Sequence, residues 1–185
     1  MENRYKYIRW FAYIIEIIVF FAIQQTPGLI PEIFDAKPVL LIPILVSIAL
    51  FEDEFAGLWF GVFIGLLMDF GCSSVLGFNC ILMAIFGYSV GLISINFIRV
   101  NILTSMISVI IVSAIVYLNH FVFGYLPHMY GENIYILLNN YLPRFGYTVL
   151  VSPIFYFFNK AIAIQVQPKE DWFYKKGGWG LWKIE

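Results

Sequence analysis

Residues 55–72 read FAGLWFGVFIGLLMDFGC, eighteen positions with one charged side chain, Asp69. A bilayer-crossing helix needs about 17–25 mostly apolar residues, so this stretch reads as a span. Gly57, Gly61 and Gly65 recur every fourth residue and line one face of it. Such a flat stripe admits another helix at close range, which matters in lipid, where apolar burial does not drive helices together. Gly87 and Gly91 repeat the spacing further along. Two readings are open for these glycines: internal helix packing, or a surface for a second membrane protein. Asp69 follows Gly65 by four residues, so it should point into the bundle and away from lipid.

The whole 185-residue chain has the same character, 61% apolar and 12% charged. Soluble domains run roughly 45–50% apolar and about 25% charged, and polar material this scarce cannot cover a water-facing surface. The chain reads as an integral membrane protein. Its net charge of −1, from 11 Lys+Arg against 12 Asp+Glu, offers no footprint for nucleic acid. Cys72 and Cys80 are too few for a disulfide framework or a four-ligand zinc site, and read as small packing residues. Gln24, Gln25, Thr26 and Pro27 follow the first apolar stretch, so no cleavable signal peptide is expected.

Further spans are expected at Tyr7–Ile23, Leu76–Phe97, Ile102–Tyr125 and Phe145–Ile164. Val39–Phe51 is short and carries Pro43, although neighbouring helices can satisfy the carbonyl that a proline frees. Charge decides whether it crosses. Arg4, Lys6 and Arg9 precede the first span, and Lys160, Lys169, Lys175, Lys176 and Lys183 lie at or beyond the end of the last. The positive-inside rule places both clusters in the cytoplasm, which requires an even number of spans. Arg99 then also falls inside, leaving Lys37 and Arg144 on the outer side.

The expected fold is therefore all-α: a polytopic integral membrane bundle of six transmembrane helices over residues 1–166, with both termini inside. Its loops are short, so sequential helices should pack as neighbours. The outer connection Leu126–Asn140 should lie flat on the outer surface. Glu52-Asp53-Glu54 reads as a solvated hairpin turn or as a contact for a basic cytoplasmic partner. Residues 167–185 set Trp172, Trp179 and Trp182 beside Lys175 and Lys176, the composition of an anchor at the lipid headgroups or of a docking segment.

The chain lacks an H-E-x-x-H helix, a G-x-S-x-G elbow and a P-loop, and neither His120 nor His128 has a histidine four residues away. No catalytic activity, metal or cofactor is expected. Asn79, Asn119, His120 and Arg144 should share the outer depth of Asp69. A polar cluster centred on an Asp69–Arg144 pair is expected there, as a structural clamp or as a ligand or ion site. Without that pair, Asp69 would cap a neighbouring helix or contact a partner. Glu16 sits near the middle of the first span with no basic residue at its depth, which leaves it protonated or hydrogen-bonded to a neighbour.

The run Gly61-x3-Gly65-Leu66-Leu67-Met68-Asp69, followed by Leu76-Gly77, resembles the most recognisable segment of the rod shape-determining protein MreD family. In that family a glycine-spaced helix ends in an aspartate, with another glycine shortly before the next helix. Pro38-Val39-Leu40-Leu41 is similar to the opening of the family's second span. The resemblance covers residues 4–164 and leaves out the aromatic tail. It implies a non-enzymatic scaffold of the cell-elongation machinery in the bacterial cytoplasmic (inner) membrane. It also implies MreC as partner and, through MreC, MreB filaments inside and a peptidoglycan synthase and transpeptidase outside, with room for a homo-oligomer. The family's fold is similar to the substrate-binding subunits of energy-coupling-factor vitamin transporters, which supplies a second function, small-molecule uptake. Uptake needs the outer polar cluster to be an open cavity with aromatic walls. A scaffold needs it closed and packed, and the glycine–aspartate motif favours the scaffold.

Overall fold

The computed structural model of the chain describes residues 2–29, 37–72, 77–96, 100–120 and 142–166. Six helices lie within them: α1 Glu2–Gln25, α2 Leu41–Phe51, α3 Glu54–Cys72, α4 Phe78–Asn96, α5 Ile102–His120 and α6 Leu142–Val166. Five are long and apolar enough to cross a membrane, and α2 is the short one. Arg99, the connection 126–140 and the tail 167–185 lie outside the described residues. Helices α1 and α6 begin ahead of the expected spans because hydropathy marks the apolar part of a helix, whereas backbone hydrogen bonds continue through its polar ends.

All 11 residues of α2 are buried, as befits a helix that is apolar on every side. It forms the axis of the bundle and touches each of the other five helices. Pro43 falls in its first turn, where a missing N–H costs no intrahelical bond. Ahead of it, the Val39 N–H donates to Thr148 Oγ1 of α6 at 3.1 Å and the Leu40 N–H to Gln24 Oε1 of α1 at 2.9 Å. At the other end, Glu52 reaches Arg9 of α1. Arg9 and Gln24 are about 22 Å apart along α1, whereas α2 alone is about 16 Å long. Leu40 to Glu52 rises about 18 Å and the long side chains of Gln24, Arg9 and Glu52 cover the rest, so Leu40–Glu52 runs antiparallel to α1 across that whole depth. Helix α6 is antiparallel to α1 as well. Phe20 packs on Phe155 at 4.8 Å and Glu16 meets Asn159 at 3.0 Å, so α1 begins and α6 ends at the same end of the bundle.

Helices α3 and α4 make the most extensive contact. A methyl group on Gly57 would run into the Gly87 carbonyl, on Gly61 into the Met83 carbonyl, and on Gly65 into the Cys80 backbone. On Gly91 it would lie 2.7 Å from Glu54 Cα. The five glycines thus occupy one internal seam, and of the two readings open for them these contacts are helix packing. Helix α5 packs on α6 and α2 and only lightly on α4, its predecessor in the chain, so sequential packing fails there. Outward, the bundle shows Ile15, Ile18, Trp59, Ile85, Ile107, Leu150 and Ile154. Soluble monomers rarely expose apolar patches beyond a few hundred Å², so this belt is suited to lipid.

The seam is testable with the smallest side chain. Gly61→Ala should lower stability in detergent by about 1–3 kcal/mol or more, because the obstructing atoms are backbone and cannot swing aside. Gly146 of α6 has open space around it, so Gly146→Ala should be neutral or stabilising by up to about 1 kcal/mol. Equal thermal stability of the two variants would mean that α3 and α4 do not meet through their backbones.

Candidate functional site

Asp69 lies in the last turn of α3 and is 5% exposed. Its Oδ2 accepts the N–H groups of Gly77 at 2.8 Å and Cys80 at 3.2 Å, and its Oδ1 accepts that of Asn79 at 3.1 Å. These are the residue before α4 and two residues of its first turn. The first N–H groups of any helix lack partners within the helix, and the residue before it usually supplies a side-chain oxygen. Here that residue is Gly77, with no side chain and a φ of 97°, a conformation natural to glycine. Asp69 supplies from α3 the oxygens that Gly77 lacks. Three charge-assisted bonds and the positive end of α4 offset the burial of its charge.

Gly65, one turn earlier, lies against the Asn79–Cys80 backbone. The glycine lets the start of α4 come close enough for Asp69 to grip it, so the glycine spacing and the aspartate work as one unit. Cys80 adds to the same contact, its Sγ 3.7 Å from the Val62 carbonyl.

The expected Asp69–Arg144 ion pair is not formed. Arg144 is exposed at the start of α6, and its backbone carbonyl accepts the Thr148 hydroxyl at 2.8 Å. Fixed amides within hydrogen-bond reach outcompete a long cation that keeps its hydration by staying outside. His120 does come to this end, its ring edge-on to Phe78 at 6.5 Å, and Asn79 is fully buried. Asn119 turns back to the Ile115 carbonyl of its own helix at 2.8 Å. Asp69, Asn79 and His120 therefore gather at the start of α4, while Asn119 and Arg144 make their contacts elsewhere. No group of three or more metal-ligating side chains occurs among the described residues.

Residues 4–171 match the family described as the rod shape-determining protein MreD. The chain belongs to the MreD family. No curated protein and no solved structure matches it. Family and fold together make it a multi-pass membrane protein of the rod-shape-determining system, in a family of structural proteins. The family match ends before Trp172, so Trp172, Lys175, Lys176, Trp179 and Trp182 fall outside both the match and the described residues.

At the opposite end of this MreD-family bundle lies an ion pair that the sequence reading missed. The Arg9 Nη2 donates to Glu52 Oε2 at 2.8 Å and its Nε meets Oε1, with the side chains 8% and 2% exposed. Glu52 is thus not part of a solvated turn. Burial pushes its carboxyl above the ordinary carboxylate range, and the Arg9 guanidinium pulls against that. Lys6 and Asp53 approach to 3.9 Å in a more exposed pair beside it. The available signal was two opposite charges expected at the same interface. Between the two ends, the Asn159 Nδ2 of α6 donates to Glu16 Oε1 of α1 at 3.0 Å and lies 2.9 Å from Ser47 Oγ of α2.

Removing the cap strands three amides, so Asp69→Ala should cost about 3 kcal/mol. Arg144→Ala, at the surface, should stay within about 0.5 kcal/mol. The double variant should be additive within about 0.5 kcal/mol. Coupling well above that, read as thermal stability in detergent, would show that Asp69 and Arg144 interact after all.

Proposed function

We propose that this MreD-family chain is a non-enzymatic scaffold of the cell-elongation machinery in the bacterial cytoplasmic membrane. In this reading it binds MreC, and through MreC it helps couple MreB filaments to peptidoglycan synthesis. The supporting observation is the use made of Asp69, which spends its carboxylate on joining α3 to α4. A transport subunit with the same six-helix plan would need polar groups at that end free to meet a solute. A scaffold needs that end packed and its outer faces available to partners, further copies of itself included.

We infer an N-in, C-in orientation from Arg4, Lys6 and Arg9 at one end of the chain and the lysines from Lys160 onward at the other. The antiparallel course of α1 and α6 supports it, since those two termini share one end of the bundle. The Arg9–Glu52 pair then faces the cytoplasm and the Asp69 cap the outside. The tail, with Trp172, Trp179, Trp182, Lys175 and Lys176, serves as an anchor on the inner headgroups.

Depletion from a rod-shaped host should round the cells without impairing vitamin uptake, and affinity purification in mild detergent should recover MreC. Cells that keep their shape but require an external nutrient, with a transporter energising module in place of MreC, would replace the scaffold by the uptake reading. For orientation, cysteines at Ile33 and Gly131 should react with an impermeant reagent added outside intact cells, and cysteines at Tyr5 and Lys176 should not. Labelling of Gly131 and Lys176 from the same side would exclude six spans.

A further inference from the structure

Helix α1 holds to the bundle by an unusual face. Among its described side chains the buried ones are Arg9, Tyr13, Glu16 and Ile17, three of them polar, with Trp10, Phe20, Phe21 and Ile23 partly buried beside them, whereas Ile15, Ile18 and Val19 face outward. Apolar burial gives helices no net attraction in lipid, so contacts on such a face depend on packing and on polar bonds. Arg9 is committed to Glu52. Gln24, at the other end, holds the Leu40 amide. The tie in the middle is Glu16.

Glu16 is 4% exposed and Asn159 is fully buried. Glu16 Oε1 accepts from Asn159 Nδ2, which also lies 2.9 Å from Ser47 Oγ and 3.1 Å from the Phe155 carbonyl. Two atoms of this group have no hydrogen-bond partner among the described residues, Glu16 Oε2 and Asn159 Oδ1, and both are acceptors. A carboxylate has no hydrogen to give, whereas a carboxylic acid has one. A single proton on Oε2 supplies the donor that both atoms lack and completes a reciprocal acid–amide pair. In such a pair Oε2–H would give to Oδ1 while Nδ2–H gives to Oε1.

Among the described residues, no cation is placed to serve in the proton's stead. On α1, Arg9 is two turns away and engaged with Glu52, and Tyr13 is a neutral phenol. In the α2–α3 turn, Glu52 and Asp53 are acids held by Arg9 and Lys6. On α2, the facing group is the Ser47 hydroxyl, which donates to the Ile44 carbonyl at 2.9 Å. From α3, Phe60 faces α1 through Trp10 and Tyr13. On α6, Lys160 has its ammonium 5.9 Å over the Tyr156 ring.

We propose that Glu16, Asn159 and Ser47 form a protonation-gated latch between α1, α6 and α2, closed while Glu16 is a neutral acid and opened when its proton leaves to water. Ionisation turns the acid–amide pair into two opposed acceptors with an unpaired charge. Water reaches that charge only if the middle of α1 moves off α6. The latch makes the α1–α6 seam responsive to pH whichever partner the bundle binds.

The test uses the full chain in lipid nanodiscs, with Cys72 and Cys80 replaced by alanine. Spin labels go on the lipid-facing positions Ile15 and Phe158, through Ile15→Cys and Phe158→Cys. The infrared band of a protonated carboxylic acid is followed in parallel. As pH rises, the band should disappear and a longer-distance population should appear together. Glu16→Gln, which can donate and accept in the same pair, should remove the band and keep the short distance at every pH. Glu16→Ala should give the long distance throughout. A wild-type distance that stays short after the band is lost overturns the latch. So does an opening with rising pH that is equal in Glu16→Gln. If Glu16→Gln does not fold, joint loss of band and short distance in the unsubstituted chain decides the matter.

Discussion

A backbone N–H buried in a membrane protein finds no water, so each helix that starts inside the bundle must take its acceptors from another helix. This constraint shapes the whole chain. The start of α2 takes its oxygens from Gln24 of α1 and Thr148 of α6. The start of α4 takes them from Asp69 of α3. Each cap is also a join between helices, so satisfying the backbone and assembling the bundle are one process. With these amides unmet, α2 could not sit at the centre of the bundle and α4 could not turn back so tightly on α3.

Close approach makes such caps geometrically possible. Aspartate is a short side chain, and Asp69 reaches the Gly77, Asn79 and Cys80 amides because Gly65 lets the α4 backbone lie against α3. The same seam continues through Gly61 and Gly57 to Gly91. Gly77, with its positive φ, turns the chain into α4 in a conformation that glycine adopts without strain. The glycine–aspartate pattern of this chain thus has a structural meaning: a hairpin of two spans locked at its turn. A locked hairpin suits the scaffold proposed for this member of the rod-shape-determining family.

The buried charged residues follow the same economy. Each is costly in the bundle and each has a specific partner: Asp69 the α4 amides, Arg9 the Glu52 carboxylate, Glu16 the Asn159 amide. Arg144, long enough to reach water, stays exposed and takes no part. Most of these joins involve α1, α2 and α6, where the helices meet without a glycine seam. Backbone packing holds one side of the bundle and polar bonds hold the other.

Hydropathy, the glycine spacing and the Gly–Asp run are local features, and they were enough to place the chain in the membrane, to locate the helices and to reveal the family. They also identified Asp69 as a residue that must point inward and Glu16 as one left protonated or hydrogen-bonded to a neighbour. Which atoms they meet is a different question. Arg9 and Glu52 are 43 residues apart, and Glu16 and Asn159 are 143 apart, distances over which sequence periodicity carries no information. The Asp69–Arg144 pairing rested on shared depth and opposite charge, but depth is one coordinate of three. The amides of α4 were nearer, and backbone donors leave no trace in a residue alphabet. Likewise the length of Val39–Phe51 could not show that it is the axis of the bundle, because that place depends on the Gln24 and Thr148 oxygens that meet its first amides. The sequence determined which segments leave water; the tertiary structure decided which donor meets which acceptor, because that choice is made by distances between helices that only packing sets.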